Sequence, residues 1–166
     1  MDCLLFRHGI AAEREDWDGQ EAERPLTPKG AEKAREAAVG LRRLGIVPTH
    51  VLSSPLTRAL ETAKLVGEVF RLADVKVCDE LLPDAPPDKL FPLLASLPED
   101  ACAICVGHEP HLGLAAGYML FGRPATGLSL KKAGACCIRF EDGPKAGKGA
   151  LRWWLTPDQL RKVKKT

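Results

Sequence analysis

Four short segments of this 166-residue chain carry side chains able to handle a phosphoryl group. Arg7-His8-Gly9 follows the apolar run Leu4-Leu5-Phe6. A guanidinium holds phosphate oxygens in a fork, and a neutral imidazole is a nucleophile near neutral pH. Arg24 opens Arg24-Pro25-Leu26-Thr27, just before a helical pattern. Arg58 lies within Ser54-Pro55-Leu56-Thr57-Arg58-Ala59-Leu60-Glu61-Thr62, in the first turn of a second helix. Long helical side chains lean toward the N-terminus, so Arg58 reaches a helix mouth already suited to anions. Gly107-His108-Glu109-Pro110 follows another apolar run. A phosphoryl group in transfer spreads charge over three oxygens. It needs fixed positive donors around those oxygens and one nucleophile in line. Arg7, Arg24, Arg58 and His108 are the candidate donors, and His8 is the candidate nucleophile. Guanidinium groups neutralise the charge, so this chemistry requires no metal and no cofactor.

The elements that must position these groups follow from apolar patterning. Leu4–Phe6, Val51-Leu52, Val75 to Cys78 and Ala101–Val106 read as strands. The last is apolar throughout, as a central parallel strand is. Thr27-Pro28 and Ser54-Pro55 each give a cap followed by a first-turn proline. Ala31, Ala34, Ala38, Leu41 and Leu44 mark the face of one helix, stopped by Gly45. Leu56, Leu60, Ala63 and Val66 mark the next. Leu90, Leu93, Leu94 and Leu97 mark a third, and a fourth runs from about Pro110 to Phe121. Glu13 to Glu23 reads as a loop, with Trp17 as its one large apolar anchor. Ala135–Phe140 and Ala150–Leu155 form a hairpin, and a short helix starts at Pro157. The alternation predicts a single domain over 1–166. It is an α/β fold: a three-layer α/β/α sandwich with a mostly parallel central sheet and a C-terminal antiparallel hairpin. In open sheets of this kind, ligands gather at the carboxyl ends of strands.

Composition narrows the partners. With 24 basic and 22 acidic residues, net charge is +2, which does not predict nucleic-acid binding. The basic run Arg161 to Lys165 reads as a solvated tail. No apolar run approaches a membrane span, and Arg7 interrupts the first one, so neither membrane insertion nor a signal peptide is expected. The six cysteines lie mostly in strand-like runs, where free Cys acts as a small hydrophobe. The expectation is a reduced, cytoplasmic protein.

Together the four segments resemble the histidine phosphatase superfamily, with its phosphoglycerate-mutase-like fold, over nearly the whole chain. The family's Arg-His-Gly is matched by Arg7 to Gly9, its Ser-Pro-x-x-Arg-Ala-x-x-Thr by Ser54 to Thr62, and its Gly-His by Gly107-His108. The short length, Arg24 to Gly30 and Trp153 to Pro157 resemble its phosphohistidine phosphatase branch. The resemblance implies that His8 is transiently phosphorylated. It implies that Arg7 and Arg58 hold phosphoryl oxygens, that His108 completes the pocket and that Arg24 adds a contact. Gly9 lets the backbone turn close to the phosphate. Larger relatives use a Glu as general acid, a place Glu80 takes here without the surrounding motif. A phosphohistidine imidazole leaves once its ring is protonated, so such an acid matters less. The substrate implied is phosphohistidine on a protein, such as a histidine-containing phosphotransfer domain.

Other readings stand beside this one. The substrate is alternatively a small phosphorylated metabolite, or the fold binds a phospho-ligand without turnover. A mutase is disfavoured, because the chain is too short for a mutase's pocket-shaping insertions. Cys102, Cys105, His108 and His111 have metal-like spacing, but thiols three apart on a strand point to opposite faces. Gly143 to Gly149 lacks the spacing of a phosphate loop and reads as a hairpin turn. Glu109 and His111 read as supporting residues, Ser53 and Ser54 as caps, and His50 as a surface residue.

Overall fold

Leu4, Leu5 and Phe6 have no exposed surface, and they form the middle of strand β1 (Asp2–Arg7). In the computed structural model, which describes residues 1–165, the chain continues through α1 (Pro28–Arg43), β2 (His50–Ser53), α2 (Thr57–Phe70), β3 (Val75–Val77) and α3 (Leu90–Ala95). It ends with β4 (Cys102–Gly107), α4 (His111–Phe121), β5 (Ala135–Arg139), β6 (Ala150–Leu155) and α5 (Pro157–Arg161). One sheet has the order β3-β2-β4-β1-β5-β6. The β1–β4, β2–β4 and β2–β3 pairs are parallel, whereas β5 pairs antiparallel with β1 and with β6. This is the α/β sandwich with a C-terminal hairpin that the alternation predicts.

Successive side chains along a strand point to opposite faces, and the two cores follow that rule. Leu4, Phe6, Val51, Ile104, Val106 and Cys137 pack against α1, α2 and α5. Cys3, Leu5, Leu52, Cys105, Cys136 and Ile138 pack against α3 and α4. Cys102 packs on the first face and Cys105 on the second, so their thiols diverge as strand geometry requires. All six cysteines are unbridged. No helix among the described residues is long and apolar enough to cross a membrane.

The chain leaves β1 into a helix on one face of the sheet and leaves β4, its parallel neighbour, into a helix on the other. Connections that diverge from adjacent parallel strands open a crevice at their carboxyl ends. Arg7 and His8 stand at one wall of it, Gly107 and His108 at the other.

Three local expectations change. Glu13 to Glu23 holds two 3-10 turns, Arg14–Asp16 and Glu21–Glu23. Trp17 anchors nothing in the core: its Nε1 donates to Gln20 O at 2.8 Å, and its ring stacks over Gly19. Helix α2 starts at Thr57 after Leu56, with no side-chain cap, so Ser54 does not cap it.

Candidate active site

The site is assembled from the ends of strands. His8 N donates to Gly107 O at 3.0 Å, extending the β1–β4 ladder past its last residue. Two backbone contacts then settle the β1–α1 turn. Gly9 N donates to Thr62 Oγ1 at 3.0 Å, and Thr62 Oγ1 donates to Arg58 O at 2.7 Å. Thr62 of the Arg-Ala-x-x-Thr pattern is therefore a rivet between the His8 turn and the helix that carries Arg58. Thr27 caps α1, its Oγ1 accepting from Gly30 N at 2.9 Å.

The structure corrects the reading of Gly9. It does not line the pocket. A Cβ on Gly9 would stand 2.9 Å from Gly30 O, and one on Gly30 would stand 2.0 Å from Ile10 O. The two glycines let the His8 turn and the start of α1 cross backbone to backbone. Gly9 touches the site only through its carbonyl.

His8, 6 % exposed, approaches that carbonyl with Nδ1 at 2.7 Å. A carbonyl only accepts, so Nδ1 carries the proton and Nε2 keeps its lone pair. Burial, with Arg58 and Arg7 adding repulsion, brings the His8 pKa down to about 4. The imidazole is thus neutral and nucleophilic at physiological pH. His108, 2 % exposed, lies with its ring 5.1 Å from that of His8. Its Nε2 pairs with Ser54 Oγ at 2.8 Å, and its Nδ1 is buried without a protein partner. Burial, then the neighbouring His8 and Arg58, hold its pKa near 2. Ser54 therefore acts as the orienting partner of His108.

The arginines differ in how free they are. Arg58, 5 % exposed, has a buried Nε with no partner, while its Nη1 lies 3.4 Å from Glu21 O and 3.7 Å from Glu21 Oε1. Burial, followed by repulsion from Arg24, lowers its pKa. Arg7 donates from Nη1 to Leu130 O at 2.8 Å and also leaves Nε unpartnered. Arg24 is the most engaged, with three of its five N–H donors used: Nε and Nη2 grip Glu21 at 3.0 and 2.8 Å, and Nη1 donates to Ala12 O at 2.7 Å.

These groups converge on a cavity of about 390 Å³, whose lining includes Arg7, His8, Arg24, Arg58, His108, Glu21, Glu109 and Lys132. Two larger hollows of about 530 Å³, one beside the end of α2 and one between α1 and α5, hold no histidine or buried arginine. Glu80 is half-buried in a 3-10 turn and is not in the lining; Pro83 is the residue of that segment which reaches the pocket. The carboxylates at the site are Glu13, Glu15, Glu21 and Glu109. Glu109 accepts from Leu130 N at 2.9 Å and from Gly113 N at 3.2 Å, so it braces the segment that holds Arg7. Glu21 was hidden in an acidic loop; its spacing of three from Arg24 was the one local sign of the pair. Lys132 had no local sign, because its place is set by contacts to β1. The Gly143 to Gly149 stretch is the β5–β6 turn, with Gly149 N donating to Met119 O at 2.9 Å.

Burial of neutral histidines ties stability to pH. Unfolded, His8 titrates near 6.5, and folded near 4. Between those values the unfolded chain holds the proton and the native one does not, so acid favours unfolding. The stability is fully present above about pH 6.5 and falls as pH approaches 4, by about 3 kcal/mol for His8 alone. Urea unfolding at pH 7.5 and 4.5 measures this. His8→Asn is expected to lose correspondingly less over that interval than the native chain; equal acid sensitivity would refute the assignment.

Comparison with known proteins agrees with this geometry. The sequence profile of the histidine phosphatase superfamily (branch 1) matches residues 3–82. A protein of Picosynechococcus sp. is 38% identical over 144 residues, 84% of this chain and 85% of that one. The phosphohistidine phosphatase SixA of Escherichia coli is 25% identical over 167 residues, 99% of each chain. A structure of the protein histidine phosphatase SixA complexed with tungstate superposes with a TM-score of 0.83 at 25% identity, covering 96% of this chain and 99% of that one. Four motifs in order, a crevice at the β1/β4 ends and these likenesses together show that the chain belongs to the histidine phosphatase superfamily.

Proposed function

We propose that this phosphatase removes the phosphoryl group from phosphohistidine on a protein, through a covalent intermediate on His8 and without a metal. One observation carries the reading. A neutral imidazole with a free Nε2 shares one pocket with Arg7, Arg58 and His108, whose Nε, Nε and Nδ1 are buried without a protein partner. Buried donors are normally paired, so this cluster suits an anion that supplies the missing acceptors. The likeness to SixA supports the choice of substrate.

In the first step His8 Nε2 attacks phosphorus, and the substrate's P–N bond breaks. The departing imidazole takes the electron pair, neutral because its ring already carries a proton. In the second step water attacks the phosphohistidine at His8, giving inorganic phosphate and regenerating the imidazole. Arg7, Arg58 and His108 hold the phosphoryl oxygens in both steps. The negative charge of the bound group favours protonation of His108, opposite to the effect of burial. Arg24 acts one step back, holding Glu21 beside Arg58. Gly9 orients His8 through its carbonyl. Glu80 lies away from the reacting atoms, in keeping with a leaving group that needs no enzyme acid.

The test is kcat/KM on a chemically phosphorylated histidine phosphotransfer domain, set against phosphoserine, sugar phosphates and an aryl phosphate. The phosphoprotein is expected to lead by at least about a hundredfold, the scale that remote binding contacts supply. A metabolite with the higher value would assign the enzyme to small-molecule phosphates.

A further inference from the structure

A second hollow of about 400 Å³ adjoins the active site, and the two share Arg7 and Lys132. It is lined by Lys33, Lys131, Lys132 and Arg7, with Ile10, Ala133 and Pro157 between them. The contrast with the first pocket is sharp: Glu13, Glu15, Glu21 and Glu109 stand among the cations there, and no carboxylate lines this trench. Among the described residues none of the three lysines is salt-bridged.

The lysine pair is held in place by its backbone. Ala133 N donates to both Arg7 O and His8 O at 3.1 Å, and Arg7 N donates to Gly134 O at 3.0 Å. Arg7 Nη1 bonds Leu130 O, and Glu109 holds Leu130 N. Ala133 sits at φ 61°, a left-handed conformation that an L-residue adopts at a cost. The turn from Leu130 to Gly134 is thus clamped to the end of β1, and it places Lys132 in the pocket of the nucleophile and Lys131 in the adjoining trench. Lys132 is close enough to oppose protonation of His8.

We propose that the trench docks acidic side chains flanking the phosphohistidine of a protein substrate. The proposal rests on the phosphohistidine reading above. A pocket of roughly 300–1,000 Å³ suffices for a small ligand, so the first hollow alone receives the phosphoryl group and its ring. The trench is left for what surrounds them. Uncompensated lysines on one side of the pocket steer an acidic partner and fix its orientation, through a field that salt screens.

The experiment uses Lys33→Glu/Lys131→Glu, which leaves Arg7 and Lys132 in place. Probes are an aryl phosphate and a phosphotransfer domain phosphorylated with phosphoramidate. The domain is used with its flanking acidic residues intact and with them changed to Asn or Gln. On the intact domain kcat/KM is expected to fall about 10- to 100-fold at low salt, with the loss shrinking as salt rises. On the neutralised domain and the aryl phosphate the rates should stay within about twofold of the native enzyme. An equal fall on all three probes, or no fall on the intact domain, overturns docking while the substrate reading stands. A native enzyme inert toward the intact phosphoprotein overturns the substrate reading and the docking with it.

Discussion

His8→Ala is expected to reduce turnover of any phosphorylated substrate by at least about ten-thousandfold, the scale seen when a covalent nucleophile is deleted. No nearby group can take its place. His108 is the nearest imidazole, but its Nε2 is paired with Ser54 Oγ and its Nδ1 is buried. The ring of His8 is fixed by its own Nδ1 bond and by the backbone ladder to Gly107, so its lone pair is aimed before substrate arrives. The variant should fold, because Arg7, Thr62 and the Gly9–Gly30 crossing are untouched. Rapid acid-free quenching with radiolabelled substrate should show labelled native enzyme and none in the variant, with circular dichroism unchanged. Label retained in His8→Ala, or activity within tenfold of native, would remove His8 from the nucleophile's role.

The second large effect belongs to Arg58. Removing one preorganised donor costs roughly a hundred- to a thousandfold in rate, and Arg58→Ala is expected to fall in that range. Its guanidinium is buried, and its nearest carboxylate, Glu21, is gripped by Arg24. It is therefore a cation kept for function at a cost in desolvation. Two consequences distinguish this from general damage. Thermal stability should hold or rise, as it does when a strained active-site charge is removed. The acid limb of kcat/KM should also move upward, because Arg58 is one of the charges that depress the His8 pKa. Arg58→Lys keeps the charge but loses the fork, so it should restore the pH limb more fully than the rate. A variant with near-native kcat, or with no movement of the limb, contradicts this placement.

The site was legible in the sequence to different depths. Arg7, His8, Arg58 and His108 were readable because each sits within a residue or two of a strand end or a helix start. Where such an element ends follows from local apolar periodicity and turn residues. Ser54 was misassigned because Ser-Pro is an ordinary helix-opening signal. Its hydroxyl instead meets a histidine 54 residues away. Glu80 was placed by family position alone, and the 3-10 turn at Asp79–Leu81 keeps it out of the pocket. Gly9 was given a phosphate-side task, whereas the space a side chain would need is taken by the Gly30 carbonyl.

The sequence alone determined the order of strands and helices, the two-faced apolar alternation and the four segments that bear the chemistry. All of these depend on residues near one another in the chain. Only the tertiary structure decided which strands are neighbours, that Glu21 bridges Arg24 and Arg58, and that the Leu130–Gly134 turn is pinned to β1. The Arg7–Leu130 bond spans 123 residues. Such a contact forms only when the whole sheet has closed, and its partners carry no local pattern that announces it.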